Sequence, residues 1–182
     1  MKWNIPNILT SFRILLIPVF LIVFYLPFED ARFWSAFIFW LAAITDALDG
    51  WIARQFNQFT EFGAFLDPVA DKAMVVAALV VLVEDYNTWY ITVPALTMIC
   101  RELIVSALRE WMAQRGDREK VAVSNLGKLK TIAQMVALIG LLWDANIWTF
   151  WISIVLFYTA FVLTLWSMWE YLRAAGSQLT RN

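Results

Sequence analysis

The sequence predicts an all-α, polytopic membrane protein of six transmembrane helices, with both termini cytoplasmic and a polar cavity open to the cytoplasm. Three observations lead there. The 182 residues are 62% hydrophobic and include 11 tryptophans, with a mean hydropathy of +0.65, which fits one integral membrane domain over residues 1–182 better than a soluble core. Charged clusters cut the chain into apolar stretches at roughly 7–28, 31–54, 60–83, 88–112, 124–143 and 146–170. Each approaches the ~20 residues that cross ~30 Å of hydrocarbon. Basic residues are also segregated. The turns near Glu29/Asp30, Glu84/Asp85 and Asp144 hold a single one, Arg32. The opposite turns and termini hold Lys2, Arg54, Arg109, Arg115, Arg118, Lys120, Lys128, Lys130, Arg173 and Arg181, so the positive-inside rule puts both termini and the 113–123 connection in the cytoplasm.

The spans differ in what they carry. Span one follows Lys2 and contains Asn7, Thr10 and Arg13; it lacks a convincing small-residue cleavage site and does not read as a cleavable signal. Span two runs inwards and brings Asp46, Asp49, Gly50, Ala53 and Arg54 to its cytoplasmic third. Span three runs back outwards with Gly63, Asp67, Pro68 and Asp71. A helix from Pro68 to Val83 would rise only about 24 Å, short of the bilayer core, so a helix from near Thr60, kinked at Pro68, is expected. Span four carries Arg101, Glu102, Arg109 and Glu110, and span five opens with Gly127, Lys128 and Lys130. Span six alone has a full-length uncharged run, Ala145 to Trp169. Trp3, Trp34, Trp89, Trp111, Trp148 and Trp151 lie near span ends as interfacial anchors. The single Cys100 excludes an intrachain disulfide, and the absence of histidine removes imidazole from any catalysis or metal ligation.

The chemistry is concentrated in four aspartates, spaced D-x2-D-G-x2-A-R-x8-G-x3-D-x3-D from Asp46 to Asp71. Carboxylates at membrane depth are costly and mark functional sites. Asp46 and Asp49 share one helical face, as do Asp67 and Asp71. Two such faces on consecutive helices make a four-carboxylate cluster, which one or two divalent cations would neutralise; hard oxygen donors suit Mg²⁺, Mn²⁺ or Ca²⁺, often with substrate phosphates completing the shell. Gly50 and Ala53 allow a ligand or neighbouring helix to approach closely. For Arg101, deep in an apolar helix, a phosphate or carboxylate partner is expected. For the other basic residues, snorkelling to the interface or pairing with Glu102 and Glu110 competes with ligand binding.

With these residues in place, the chain resembles the CDP-alcohol phosphotransferase family. The Asp46–Asp71 stretch matches the family signature at every defined position, and NIPNILTSFRILLIPVF, FGAFLDPVADK, RELIVSALREWMA and GKLKTIAQMVAL extend the likeness over most of the chain. It is most similar to members whose acceptor is sn-glycerol 3-phosphate. The resemblance implies transfer of a phosphatidyl group from CDP-diacylglycerol to that acceptor with release of CMP, in a bacterial inner membrane, by a homodimer using two Mg²⁺ or Mn²⁺ ions. It implies that Asp46, Asp49 and Asp67 bind one metal, and that Asp71 shares the second and acts as base. Gly50, Ala53, Arg54 and Gly63 would lie near the CDP moiety, with Asn7, Thr10 and Arg13 at its nucleotide end. Arg101, Arg109, Lys128 and Lys130 would form the basic pocket for the acceptor's phosphate. Partners are therefore the two substrates and membrane phospholipid, with no nucleic acid. An intramembrane prenyltransferase would place its acidic motifs farther apart. A cation transporter would leave Arg54, Arg101 and Lys128 without a role.

Overall fold

Six helices form because six stretches of the chain are apolar around most of their circumference, and a helix is the structure that satisfies every backbone group of such a segment internally. The computed structural model describes residues 5–56, 61–114 and 125–179. They fold as α1 (Ile5–Tyr25), α2 (Ala31–Phe56), α3 (Glu61–Tyr86), α4 (Trp89–Gln114), α5 (Asn125–Trp143) and α6 (Ile147–Leu179). The limits follow the six apolar stretches to within a few residues, except that α6 continues well past residue 170. Helix α3 starts beside Thr60, as expected, and runs through position 68. Windows in α1, α4 and α6, Ile8–Tyr25, Trp89–Leu108 and Ile147–Arg173, are long and apolar enough to cross a membrane.

Short turns end these helices by identifiable chemistry. Asn87 and Asp144 take left-handed backbone conformations, with φ of 43° and 44°, and their N–H groups close the preceding helices onto Val83 and Gly140 carbonyls at 3.1 and 2.9 Å. Asn146 caps α6: its side-chain oxygen accepts the Trp148 and Thr149 N–H groups, both at 3.0 Å. Inside the helices, Ser35, Thr45, Thr92 and Thr164 donate their hydroxyls to carbonyls one turn back, so none adds an unsatisfied polar group to an apolar interior.

Helix α1 packs against α2 and α3, α5 against α2 and α6, and α4 against α3 and α6. The core between them joins Phe20, Phe39, Met74, Leu82, Met98, Leu138 and Phe157. Alanines 36, 42, 78, 95, 137 and 160 are buried at the same interfaces, where small side chains let helix backbones come close. The outward faces are apolar too: Leu15, Ile22, Val80, Leu96, Leu103, Ile132, Val155 and Trp166 are exposed. A core lined by alanine beneath a jacket of large apolar residues suits a lipid solvent, in which burying leucine gains little.

One end of the bundle is fastened by charge. Arg32 pairs with Asp85 and, at 3.2 Å, with Asp144, and its guanidinium lies 5.9 Å from the centre of the Tyr86 ring. Tyr25 donates to Glu84. These contacts gather the α1–α2, α3–α4 and α5–α6 junctions at one level and fix a depth scale for everything below them.

Candidate functional site

Counting from that clasp places the polar interior. Arg13 lies twelve residues from Tyr25, and Asp46, Asp71 and Lys130 lie fourteen from Arg32, Asp85 and Asp144, respectively. At 1.5 Å per residue each is about 20 Å from the clasp, so four helices bring polar side chains to a common level.

Contacts confirm the convergence. Arg13 is buried to 1% exposure, while the Asp46 and Asp71 side chains retain 41% and 40%. One guanidinium nitrogen, Nη1, donates to Asp46 Oδ1 at 2.9 Å and also to Asp71 Oδ1. The first and last aspartates of the motif, on α2 and α3, are thus tied together by a cation from α1. Thr10, one turn before Arg13, is fully buried.

A cleft of about 130 Å³ opens beside these carboxylates, lined by Asp46, Asp71, Lys72, Glu102, Lys130, Thr131 and Gln134. This is smaller than the roughly 300–1,000 Å³ of usual ligand pockets, so it accommodates a headgroup-sized fragment. Across it, Glu102 on α4 accepts from Lys130 on α5 at 2.5 Å and from its neighbour Arg101 at 3.0 Å. Arg101 also donates to Ser167 on α6 at 2.7 Å and lies 5.8 Å from the Tyr171 ring centre. Lys72 donates to the Ser106 hydroxyl on α4.

Of the residues singled out in the sequence, Arg13, Asp46, Asp71 and Lys130 meet at this site, and Arg101 stands behind it on Glu102. Asn7, Asp49, Gly50, Ala53, Arg54, Gly63, Asp67, Arg109 and Lys128 occupy helical positions in α1 to α5, but their side chains lie outside the described residues. Among the described residues no three metal-capable side chains converge; that set contains two of the four aspartates. Sequence reasoning assigned no role to Lys72, Gln134 or Ser106. The available signal was polarity at helical spacing: Lys72 adjoins Asp71, and Gln134 follows Lys130 by one turn.

The donor chemistry fits a divalent cation. Two carboxylates from separate helices, partly open to a cleft and bridged by one buried arginine, offer hard oxygen ligands of the kind such an ion takes.

The chain belongs to the CDP-alcohol phosphatidyltransferase family, whose model matches residues 3–166. It is 60% identical over 179 residues to the CDP-diacylglycerol–glycerol-3-phosphate 3-phosphatidyltransferase of Salmonella typhimurium, with 98% of each chain covered. Its identity to the enzyme of the same name from Escherichia coli is 58% over the same length and coverage.

Proposed function

We propose that this protein transfers the phosphatidyl group of CDP-diacylglycerol to sn-glycerol 3-phosphate, giving phosphatidylglycerophosphate and CMP. Full-length identity to enzymes named for that reaction supports it, and the observation that carries it is the meeting of Arg13, Asp46 and Asp71 at one polar level of an apolar bundle. The chain acts as a single six-span domain of a bacterial inner membrane, its termini and cleft facing the cytoplasm where a soluble phosphate ester meets a lipid headgroup. It works as a homodimer. A second same-family acceptor, inositol phosphate, would use the same donor site.

Asp46, Asp49, Asp67 and Asp71 would hold two Mg²⁺ or Mn²⁺ ions. When bound, such ions neutralise the pyrophosphate of the donor and the charge that develops on CMP. Gly50, Ala53, Arg54 and Gly63 lie along the CDP moiety, and Asn7, Thr10 and Arg13 lie at its nucleotide end. Arg13, buried between Asp46 and Asp71, would offer guanidinium N–H groups to a donor phosphate oxygen. Lys130, with Arg101, Arg109 and Lys128, supplies positive charge for the acceptor's phosphate. The acceptor hydroxyl oxygen bonds to the lipid-side phosphorus as the bond from that phosphorus to the bridging oxygen breaks. CMP departs with that electron pair, and the hydroxyl proton passes to an Asp71 carboxylate oxygen.

The test is purified protein in lipid–detergent micelles, supplied with CDP-diacylglycerol and a panel of glycerol 3-phosphate, inositol phosphate and serine. CMP release with glycerol 3-phosphate as the preferred acceptor is expected, abolished by a chelator and by Asp71→Asn in a protein that still folds. Preference for another acceptor overturns the substrate assignment, and a folded Asp71→Asn enzyme at wild-type rate overturns the base.

A further inference from the structure

Three basic residues at the polar level already face a carboxylate: Arg13 bonds Asp46 and Asp71, and Arg101 and Lys130 share Glu102. Lys72 differs. It lines the cleft together with Asp46, Asp71, Glu102 and Lys130, and its Nζ donates to the Ser106 hydroxyl. Among the described residues no carboxylate pairs with it. An ammonium has three donors and a full charge; one neutral hydroxyl satisfies a single donor and none of the charge. A half-buried cation left in this state is stabilised by an anion, and a phosphate is the anion that the cleft's size and its second lysine suit.

We propose that Lys72 is a substrate-binding residue that takes the phosphate of the acceptor, with Ser106 aiming its ammonium across the cleft. The inference rests on the reaction proposed above. It ranks the basic residues by their prior commitments. Arg101 is held by Glu102, Ser167 and the Tyr171 ring, so the charge it supplies to the pocket is already shared and it also keeps Glu102 and, through it, Lys130 in place. Lys72 has no carboxylate partner among the described residues and adjoins Asp71 in the chain, so a phosphate on Lys72 keeps the acceptor's hydroxyl end within the same small cleft as Asp71.

Initial rates of the full-length enzyme test this, varying glycerol 3-phosphate at saturating CDP-diacylglycerol and then the reverse. Lys72→Met is expected to raise KM for glycerol 3-phosphate roughly 10- to 100-fold, the range for losing a hydrogen bond to a charged group. KM for CDP-diacylglycerol should stay within about twofold, Lys72→Arg should restore most of the loss, and Ser106→Ala should give a smaller rise in the same KM. If Lys72→Met is inactive, calorimetric titration with glycerol 3-phosphate decides: binding lost in Lys72→Met and kept in Lys72→Arg supports the proposal. An unchanged KM or affinity for glycerol 3-phosphate, or an equal rise in both KM values, overturns it. A wild-type enzyme that ignores glycerol 3-phosphate would overturn the proposed reaction instead, and the two failures appear in different proteins.

Discussion

Arg13 stands where the sequence motif alone would leave a repulsion. Asp46 and Asp71 come from different helices, and a single guanidinium nitrogen bonds both. That arginine is a counter-charge the two share. Replacing it by methionine keeps length and apolar volume but leaves two carboxylates facing each other. Removing one partner of a fully buried ion pair costs about 3–5 kcal/mol. Here the aspartates keep about two-fifths of their side-chain surface, so solvent screening reduces the expected loss to about 1–2 kcal/mol. Arg13→Met should therefore melt several degrees below wild type in chelator. Added Mg²⁺ should raise its melting temperature by more than it raises that of the wild type, because the ion replaces the missing charge. Equal increments in the two proteins would show that Arg13 does not share its role with the metal. At this scale the sequence was informative about the acids and less so about their partners. Spacing alone paired Asp46 with Asp49 and Asp67 with Asp71 on helical faces. That Arg13, thirty-three residues before Asp46, reaches both Asp46 and Asp71 depends on how α1 packs, which spacing does not encode. Arg101 was expected on a phosphate or a carboxylate, and a carboxylate, Glu102, holds it.

Between elements, α5 and α6 meet closely at Gly140. A methyl group added at Gly140 would overlap the Ser153 hydroxyl and approach the Ser153 Cβ to 3.1 Å, with Thr149 Cγ2 at 3.8 Å. Ser153 is itself buried, at 3% exposure, so its hydroxyl has little room to rotate away, and its Cβ is fixed to the backbone. Overpacking of this kind costs about 1–3 kcal/mol. Gly140→Ala should lower the melting temperature measured by tryptophan fluorescence, and Gly140→Ala with Ser153→Ala should recover part of the loss by removing the hydroxyl. A double variant no more stable than the single one would mean that the Cβ contact or the backbone carries the cost. Such a contact explains what was and was not legible in the sequence. Helix limits were legible because charges and turn residues punctuate apolar runs: the stretch 31–54 became Ala31–Phe56, and 124–143 became Asn125–Trp143. The end of α6 was not. Hydropathy falls at Glu170, yet the helix runs on to Leu179, since Glu, Leu, Arg and Ala favour helix whether or not lipid surrounds them. Glycine spacing gave no pairing of Gly140 with Ser153, because helix rotation is set by the whole bundle.

Across the whole molecule, two polar layers about 20 Å apart bracket an apolar middle. One is the Arg32 clasp with Asp85 and Asp144; the other is the Arg13, Asp46, Asp71, Glu102 and Lys130 layer. They differ in kind. The clasp has one arginine for two carboxylates and joins three junctions, a structural closure. The second layer adds a cleft and a lysine, Lys72, that pairs with no carboxylate among the described residues, the arrangement of a binding site. Their separation is smaller than the roughly 30 Å of bilayer hydrocarbon, so in a membrane orientation decides which layer soluble substrates reach. In the sequence, basic residues gather in the termini and in the connections opposite the clasp turns, and positive charge is retained on the cytoplasmic side. This predicts the direction of every span and can be read with single cysteines. Cys100 is exposed on the apolar surface of α4 and is replaced by serine to give a cysteine-free background. Glu29→Cys and Ala145→Cys, in exposed turn positions of the clasp end, should react with a membrane-impermeant maleimide in intact spheroplasts. Asn182→Cys should react only after permeabilisation. Labelling of residue 182 from outside, with residues 29 and 145 protected, would invert the protein and place the cleft away from cytoplasmic glycerol 3-phosphate, removing the supply of acceptor on which the proposed reaction depends.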